Sequence, residues 1–154
     1  MSVVVSGGFD PIHIGHLRMF NEAKALASEF TGKLIVIVNN DEFLLEKKGY
    51  VFMPWDERAE LISALACVDN VIQANDDDRT VCETLKELRP DIFANGGDRG
   101  VNTTPEAKLC EELDIELMWN IGGGKVRSSS NLVREISMKK SKLDRKRFRE
   151  ELAI

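Results

Sequence analysis

The stretch VVVSGGFDPIHIGH, residues 3–16, decides the fold. It opens with three β-branched residues, passes through a turn that contains two glycines and Pro11, and then enters an amphipathic segment. A continuous β-branched run predicts a strand that is buried on both faces. Glycines let the backbone turn and approach a ligand closely. We therefore expect a strand, then a ligand-facing turn, then the N-terminus of a helix.

The alternation of a short apolar run and an amphipathic stretch continues along the chain. Apolar runs stand at residues 34–38, 70–72, 92–94 and 115–119, and between them lie amphipathic stretches at residues 15–30, 56–67, 80–89 and 105–113. Strands that alternate with helices predict an α/β domain with three layers and a doubly wound, five-stranded parallel sheet. In such sheets ligands bind beyond the carboxyl ends of the strands, near the point where the strand order reverses.

Size and charge narrow the class of protein. The chain has 154 residues, the usual size of one domain, and a net charge of −5, which argues against a basic nucleic-acid binder. It carries no apolar run long enough for a membrane span and no signal-peptide pattern, so we expect no membrane partner and a cytoplasmic protein. The composition becomes highly charged near the end, which predicts a domain over 1–135 and a charged helical tail over 136–154.

The two histidines of the chain both lie in the first turn, as His13 and His16. A helix N-terminus presents unpaired N–H groups and a positive dipole end, which favour an anion. Imidazoles there can donate hydrogen bonds to phosphate oxygens. A metal pair is a weaker interpretation, because no third ligand follows at a usual spacing, and we expect no protein-bound metal. A helix cap plus a core residue is the other alternative.

Several segments together carry a family resemblance. The stretch Gly8–His16 resembles the signature of the cytidylyltransferase-like nucleotidyltransferase superfamily. Four later segments resemble further elements of that family, in the same order: Asn39-Asn40-Asp41, Lys47-Lys48-Gly49 followed by Arg58, Gly96-Gly97-Asp98, and Ser128-Ser129-Ser130. The resemblance covers about residues 1–135. It implies a Rossmann-like fold, an NTP substrate with Mg2+ carried by its phosphates, a phosphorylated small-molecule acceptor and a homodimer.

The resemblance also implies roles for individual residues. The catalytic set is His13 and His16, with Lys47 or Lys48 reaching over the triphosphate from a mobile loop. The expected nucleotide-binding residues are Gly7, Gly8, Phe9, Asp10, Gly97, Asp98, Ser128, Ser129 and Ser130. The expected acceptor-binding residues are Asp41 and Arg58. For Asp10, a role in stabilising the turn is the alternative; for Arg58, it is an ion pair with a neighbouring carboxylate.

Departures from the family pattern leave the acceptor open. The segment before the three serines, residues 122–127, lacks the Arg-Thr-Glu-Gly sequence of glycerol-phosphate cytidylyltransferases. The Gly-Gly-Asp element is more similar to sugar-phosphate adenylyltransferases, which favours ATP over CTP, although Asn95 stands where those enzymes usually have lysine. A non-catalytic nucleotide sensor on the same fold is the main alternative function. A fragment of an aminoacyl-tRNA synthetase, which shares His-Ile-Gly-His, is disfavoured because the chain has no room for a tRNA-binding domain.

Overall fold

The computed structural model describes residues 1–96, 104–124 and 127–152, without the side chains of residues 148, 151 and 152. Five strands form one parallel sheet in the order β3-β2-β1-β4-β5. The strands are β1 (Ser2–Gly7), β2 (Lys33–Val38), β3 (Asn70–Gln73), β4 (Ile92–Ala94) and β5 (Glu116–Met118). The helices are α1 (Ile14–Ser28), α2 (Asp41–Lys48), α3 (Trp55–Ser63), α4 (Cys82–Leu88), α5 (Pro105–Glu112) and α6 (Ser129–Leu152). The expected Rossmann-like, five-stranded parallel fold is confirmed.

The first strand shows why three layers form. Alternate residues of a strand point to opposite faces of the sheet. Val3 and Val5 accordingly join the core that packs against α1 and α3, whereas Val4 joins the core that packs against α4 and α5. All three valines are fully buried. A strand that is covered on both faces cannot alternate apolar and polar residues, so the continuous Val-Val-Val run reflects its central place in the sheet.

Helix α2 is the element that the sequence analysis missed. Asn40 caps its N-terminus, because its side-chain oxygen accepts a hydrogen bond from the N–H of Phe43 at 2.8 Å. Gly49 ends it in the left-handed conformation with φ at 80°. Only Leu44 of this helix is buried, so its apolar periodicity is too weak to reveal it. Lys47 and Lys48 therefore lie on a capped helix, and the expected mobile loop was wrong.

The C-terminal segment forms one long helix. Helix α6 runs without interruption from Ser129 to Leu152 and so crosses the boundary that we placed at residue 135. The division into a domain and a tail stays a prediction. Among the residues that the structure describes, no helix combines the length and the apolarity that crossing a bilayer requires.

Candidate nucleotide-binding site

A cleft of about 960 Å³ opens at the carboxyl edge of the sheet. The loops after β1, β4 and β5 line it, together with the first residue after β2, part of α2 and the loop before α4. Adjacent strands β1 and β4 lead away to opposite sides, which makes this edge the switch point of the doubly wound sheet. The cleft thus lies where the strand pattern predicted a ligand site.

Two histidines form a reciprocal cap at the start of α1. The Nδ1 atom of His13 accepts a hydrogen bond from the N–H of Gly15 at 3.1 Å, and the Nδ1 atom of His16 accepts one from the N–H of His13 at 3.2 Å. Both rings line the cleft and stack on each other, with their centroids 3.7 Å apart. The two histidines therefore cap the helix, as one alternative predicted, and they also line the cleft.

The capping bond that His16 accepts also indicates the protonation form of its ring. A neutral imidazole carries one proton, and an Nδ1 atom that accepts a hydrogen bond leaves that proton on Nε2. Burial, followed by the charges of His13 and Lys48, lowers the pKa of His16 to about 3. His16 is therefore a neutral N–H donor near pH 7. It can stabilise developing negative charge on a phosphate without itself being an ion.

Asp10 lines the cleft, but its carboxylate forms its hydrogen bonds within the protein. Its fully buried carboxylate accepts hydrogen bonds from the N–H groups of Phe52 at 2.7 Å and Met53 at 2.6 Å. Lys48 stands 3.4 Å from the same carboxylate and donates to the backbone carbonyl of Asp10 at 2.6 Å. The side chain of Asp10 thus anchors the loop before α3, which agrees with the structural alternative. Lys48 is held at the cleft by Asp10 and lies over the Tyr50 ring.

Arg58 does not fit the acceptor-binding role that we expected. Its side chain is fully buried and donates to the carbonyls of Met53, Gly8 and Asn39 at 2.7–2.9 Å. It also forms an ion pair with Asp41 at 2.6 Å. Neither member of this pair lines the cleft. The buried guanidinium, which donates to three carbonyls, connects the ends of β1 and β2 with the start of α3. Arg58 and Asp41 therefore support the structure around the site.

Three of the expected nucleotide-binding residues shape the first turn by packing. A side chain on Gly7 would meet the ring of Phe9 at 2.9 Å, and one on Gly8 would meet Leu44 at 2.7 Å. Phe9 is buried, and its ring packs edge-on against the ring of His16 with their centroids 5.0 Å apart. The two glycines and Phe9 line the cleft and allow the turn to pass beneath the histidines.

The serine segment lies beside the histidine turn. The hydroxyl of Ser129 donates to the backbone carbonyl of Pro11 at 2.7 Å, and Ser128 accepts from the N–H of Asn131 at 3.5 Å, as a capping residue does. All three serines and Arg127 line the cleft. The starts of α1 and α6 therefore meet at one site, although 118 residues separate Ser129 from Pro11.

Of the remaining expected site residues, one lines the cleft and two lie outside the described residues. Lys47 lines the cleft from α2, with its ammonium group 5.8 Å from the Phe43 ring centroid. Gly97 and Asp98 lie outside the described residues. The structure adds cleft residues to which the sequence analysis gave no role, among them Asn39, Phe43, Arg79, Thr80, Asn95 and Gly122. Position after a strand end was the available signal for Asn39 and Asn95, and membership of a family-like segment was a second signal for Asn39.

This fold and cleft define a nucleotide-binding α/β domain, with a histidine-capped helix start and a serine-rich helix start facing one pocket. The chain belongs to the cytidylyltransferase-like family of nucleotidyltransferases, whose family model matches residues 4–141.

Individual relatives differ in how much of their length the chain covers. It is 30% identical to the FAD synthase of Picrophilus torridus over 139 residues, which make up 88% of this chain and 96% of that protein. It is 32% identical to the bifunctional protein HldE of Syntrophotalea carbinolica, but spans only 26% of it. The lipopolysaccharide core biosynthesis protein of Thermoplasma volcanium shares the fold with a TM-score of 0.62 and 27% identity, over 77% of this chain and 94% of that one.

Proposed function

We propose that this protein transfers the NMP group of an NTP to a phosphorylated small molecule and releases pyrophosphate. The observation that carries the proposal is the pair of stacked imidazoles at the start of α1, each with its Nδ1 atom bonded to a backbone N–H in the cleft. A phosphate oxygen of the acceptor attacks the α-phosphorus and forms the new P–O bond. The bond from that phosphorus to its bridging oxygen breaks, and pyrophosphate leaves with the electron pair.

The residues of the cleft suit this reaction. The attacking phosphate oxygen is already anionic, so no general base is needed and catalysis is positioning plus charge stabilisation. His13 and His16 hold the α-phosphate through Nε2–H groups. Lys47 and Lys48 add positive charge from the α2 side, and the N–H groups of the serine segment with Arg127 hold the β- and γ-phosphates at the start of α6, which the Ser129 hydroxyl ties to Pro11.

Magnesium enters with the nucleotide in this proposal. Within the described part of the chain, no three carboxylate, histidine or cysteine side chains gather as a metal-binding group would. Besides Glu106 and the internally bonded Asp10, the cleft offers neutral donors and cations, which fit the phosphates of a metal-bound nucleotide. When bound, Mg2+ neutralises triphosphate charge.

ATP and FMN are our first choices of substrate. The FAD synthase of Picrophilus torridus matches this chain along nearly its whole length, whereas HldE is about four times longer than the match. FAD is FMN joined to AMP through a phosphoanhydride bond, and FMN is a phosphorylated small molecule, the acceptor class that the sequence analysis expected. The aromatic rings of Phe43 and Trp119 line the cleft and offer faces for planar substrates.

A pyrophosphate-release assay tests the proposal directly. Purified protein is incubated with Mg2+ and either ATP or CTP, against FMN, glycerol 3-phosphate and glucose 1-phosphate. We expect pyrophosphate and FAD to form in equal amounts from ATP and FMN. Tight ATP binding without pyrophosphate release from any pair would favour the alternative, a nucleotide sensor. Turnover with CTP alone would reverse our choice of nucleotide.

The proposal includes a homodimer. Helix α6 exposes Ile136 and Leu143, each at least half accessible and seven residues apart, so both lie on one helix face that a second copy of the helix would cover. Sedimentation equilibrium at several protein concentrations checks this expectation, and a strictly monomeric protein at working concentration would contradict it.

A further inference from the structure

Asn39 is the first residue after β2, and both its backbone N–H and its backbone carbonyl form hydrogen bonds. Its N–H donates to the carbonyl of Gly7 at 2.9 Å, and its carbonyl accepts from Nη1 of the buried Arg58 at 2.8 Å. These two bonds tie the end of β2 to the turn that carries the histidines. They also fix the direction of the Asn39 side chain, which lines the cleft although the residue is only 6% exposed.

The side-chain oxygen of Asn39 is buried and has no hydrogen-bond partner within residues 1–96, 104–124 and 127–152. Buried polar atoms in folded proteins are nearly always paired, so an unpaired one at a ligand cleft requires an explanation. Asn40 provides the contrast. The same type of oxygen, one residue later, accepts a hydrogen bond from Phe43 at 2.8 Å and does not line the cleft.

The strand order assigns this atom to one half of the cleft. With β1 in the centre, the loops after β4 and β5 and the start of α6 lie on one side, and Asn39, α2 and the loop after β3 lie on the other. The serine segment, which we assign to the triphosphate, belongs to the first side and closes against Pro11. On the second side, Lys47 and Lys48 of α2 serve the phosphates, and we assign the space beside Asn39 to the alcohol part of the acceptor.

We propose that Asn39 is a specificity-determining residue that accepts a hydrogen bond from a hydroxyl group of the acceptor. This inference rests on the proposed function. A carboxamide oxygen needs a donor, and the oxygens of an ionised phosphate monoester carry no proton, so Asn39 recognises the alcohol part of the acceptor. Sites that hydrogen-bond a substrate hydroxyl discriminate strongly against analogues without it, because the buried polar atom then stays unpaired.

The experiment compares the wild type with Asn39→Ala, Asn39→Leu and the control Asn40→Ala. The leucine variant is close to asparagine in size and keeps the test valid if the alanine variant does not fold. FMN is the probe: its affinity is measured by flavin fluorescence, and steady-state KM values are measured for FMN and ATP. We expect both Asn39 variants to bind FMN about tenfold more weakly, with the KM for ATP unchanged. Asn40→Ala should lower the melting temperature through loss of the α2 cap and keep both KM values.

The outcomes separate the inference from the proposed function. Wild-type protein that binds FMN but forms no FAD with ATP refutes FMN adenylylation, while the affinity comparison still tests Asn39. Equal FMN affinity in the wild type and the Asn39 variants overturns the inference, and so does a loss confined to ATP. Wild-type protein that binds no FMN overturns both FMN as the acceptor and the role of Asn39, whereas pyrophosphate release with another acceptor still tests the general transfer reaction.

Discussion

Replacing His16 by asparagine separates its proposed catalytic role from its capping role. The side-chain oxygen of asparagine takes the place of Nδ1, so the N–H of His13 keeps the acceptor that it now has at 3.2 Å. The Nε2–H group is lost. Removing one preorganised donor to a developing phosphate charge costs about 100- to 1,000-fold in kcat, or roughly 2.7–4 kcal/mol. We therefore expect His16→Asn to fold and bind ATP but to turn over at least 100-fold more slowly.

The structure also gives the stability change expected from His16→Asn. The variant keeps the cap but loses the ring stack with His13 and the edge contact with Phe9. Aromatic pairs of this kind contribute about 0.5–1.5 kcal/mol each. For a domain of this size, 1 kcal/mol corresponds to roughly 2–4 °C in melting temperature. The two contacts together predict a fall of roughly 2–12 °C, which leaves the protein folded at an assay temperature well below the melting point and so does not explain the loss of kcat.

The matched control is His16→Gln. The amide nitrogen of glutamine reaches toward the position of Nε2, whereas the capping acceptor at Nδ1 is lost. Losing an N-terminal capping acceptor costs about 0.5–2 kcal/mol. We expect His16→Gln to retain more activity than His16→Asn and to be no more stable than it. Thermal unfolding and single-turnover pyrophosphate release on both variants provide the comparison. Normal turnover by well-folded His16→Asn would refute the catalytic role of the Nε2–H group.

Three further predictions follow from contacts at and beneath the cleft. The pKa of His16 is about 3 in the folded protein against an ordinary 6.5, so the unfolded state takes up a proton first as the pH falls through this window. The free energy of unfolding of the wild type should therefore fall, relative to that of His16→Asn, by about 1.4 kcal/mol per pH unit below 6.5. Urea unfolding at pH 7.5 and pH 5 measures this difference. Equal losses of stability in the two proteins would contradict it. Ser129→Ala removes the bond to Pro11, and we expect a several-fold rise in KM for ATP with a loss of at most about 1.5 kcal/mol in stability. Unchanged kinetics would reduce Ser129 to a structural contact. Arg58→Met should destabilise the protein by about 3–5 kcal/mol in urea, because Asp41 and three carbonyls lose their donor. An Arg58→Met protein of normal stability and raised acceptor KM would restore the acceptor role that the structure disfavours.

The sequence by itself determined the architecture and the location of the site. Continuous β-branched runs such as residues 3–5 can be satisfied only in strands that are covered on both faces, so the parallel sheet follows from local composition. The turn at residues 6–16 combines glycines with two histidines at a helix start, and this local chemistry indicates an anion site without knowledge of the rest of the chain. The family resemblance begins with the same contiguous residues and is extended by later segments in the family's order, and the family model matches residues 4–141.

Tertiary structure alone decided which charged and polar residues face the ligand. Arg58 and Lys48 are both cations near family-like elements, yet one is fully buried against carbonyls and the other reaches the cleft. Asn39 and Asn40 are identical neighbours, and only their long-range surroundings make one a buried cleft residue and the other a helix cap. Such differences depend on partners up to 118 residues away, as in the bond from Ser129 to Pro11. Patterns of local sequence carry no information about those partners, since side-chain burial and pairing are set by the packing of distant segments.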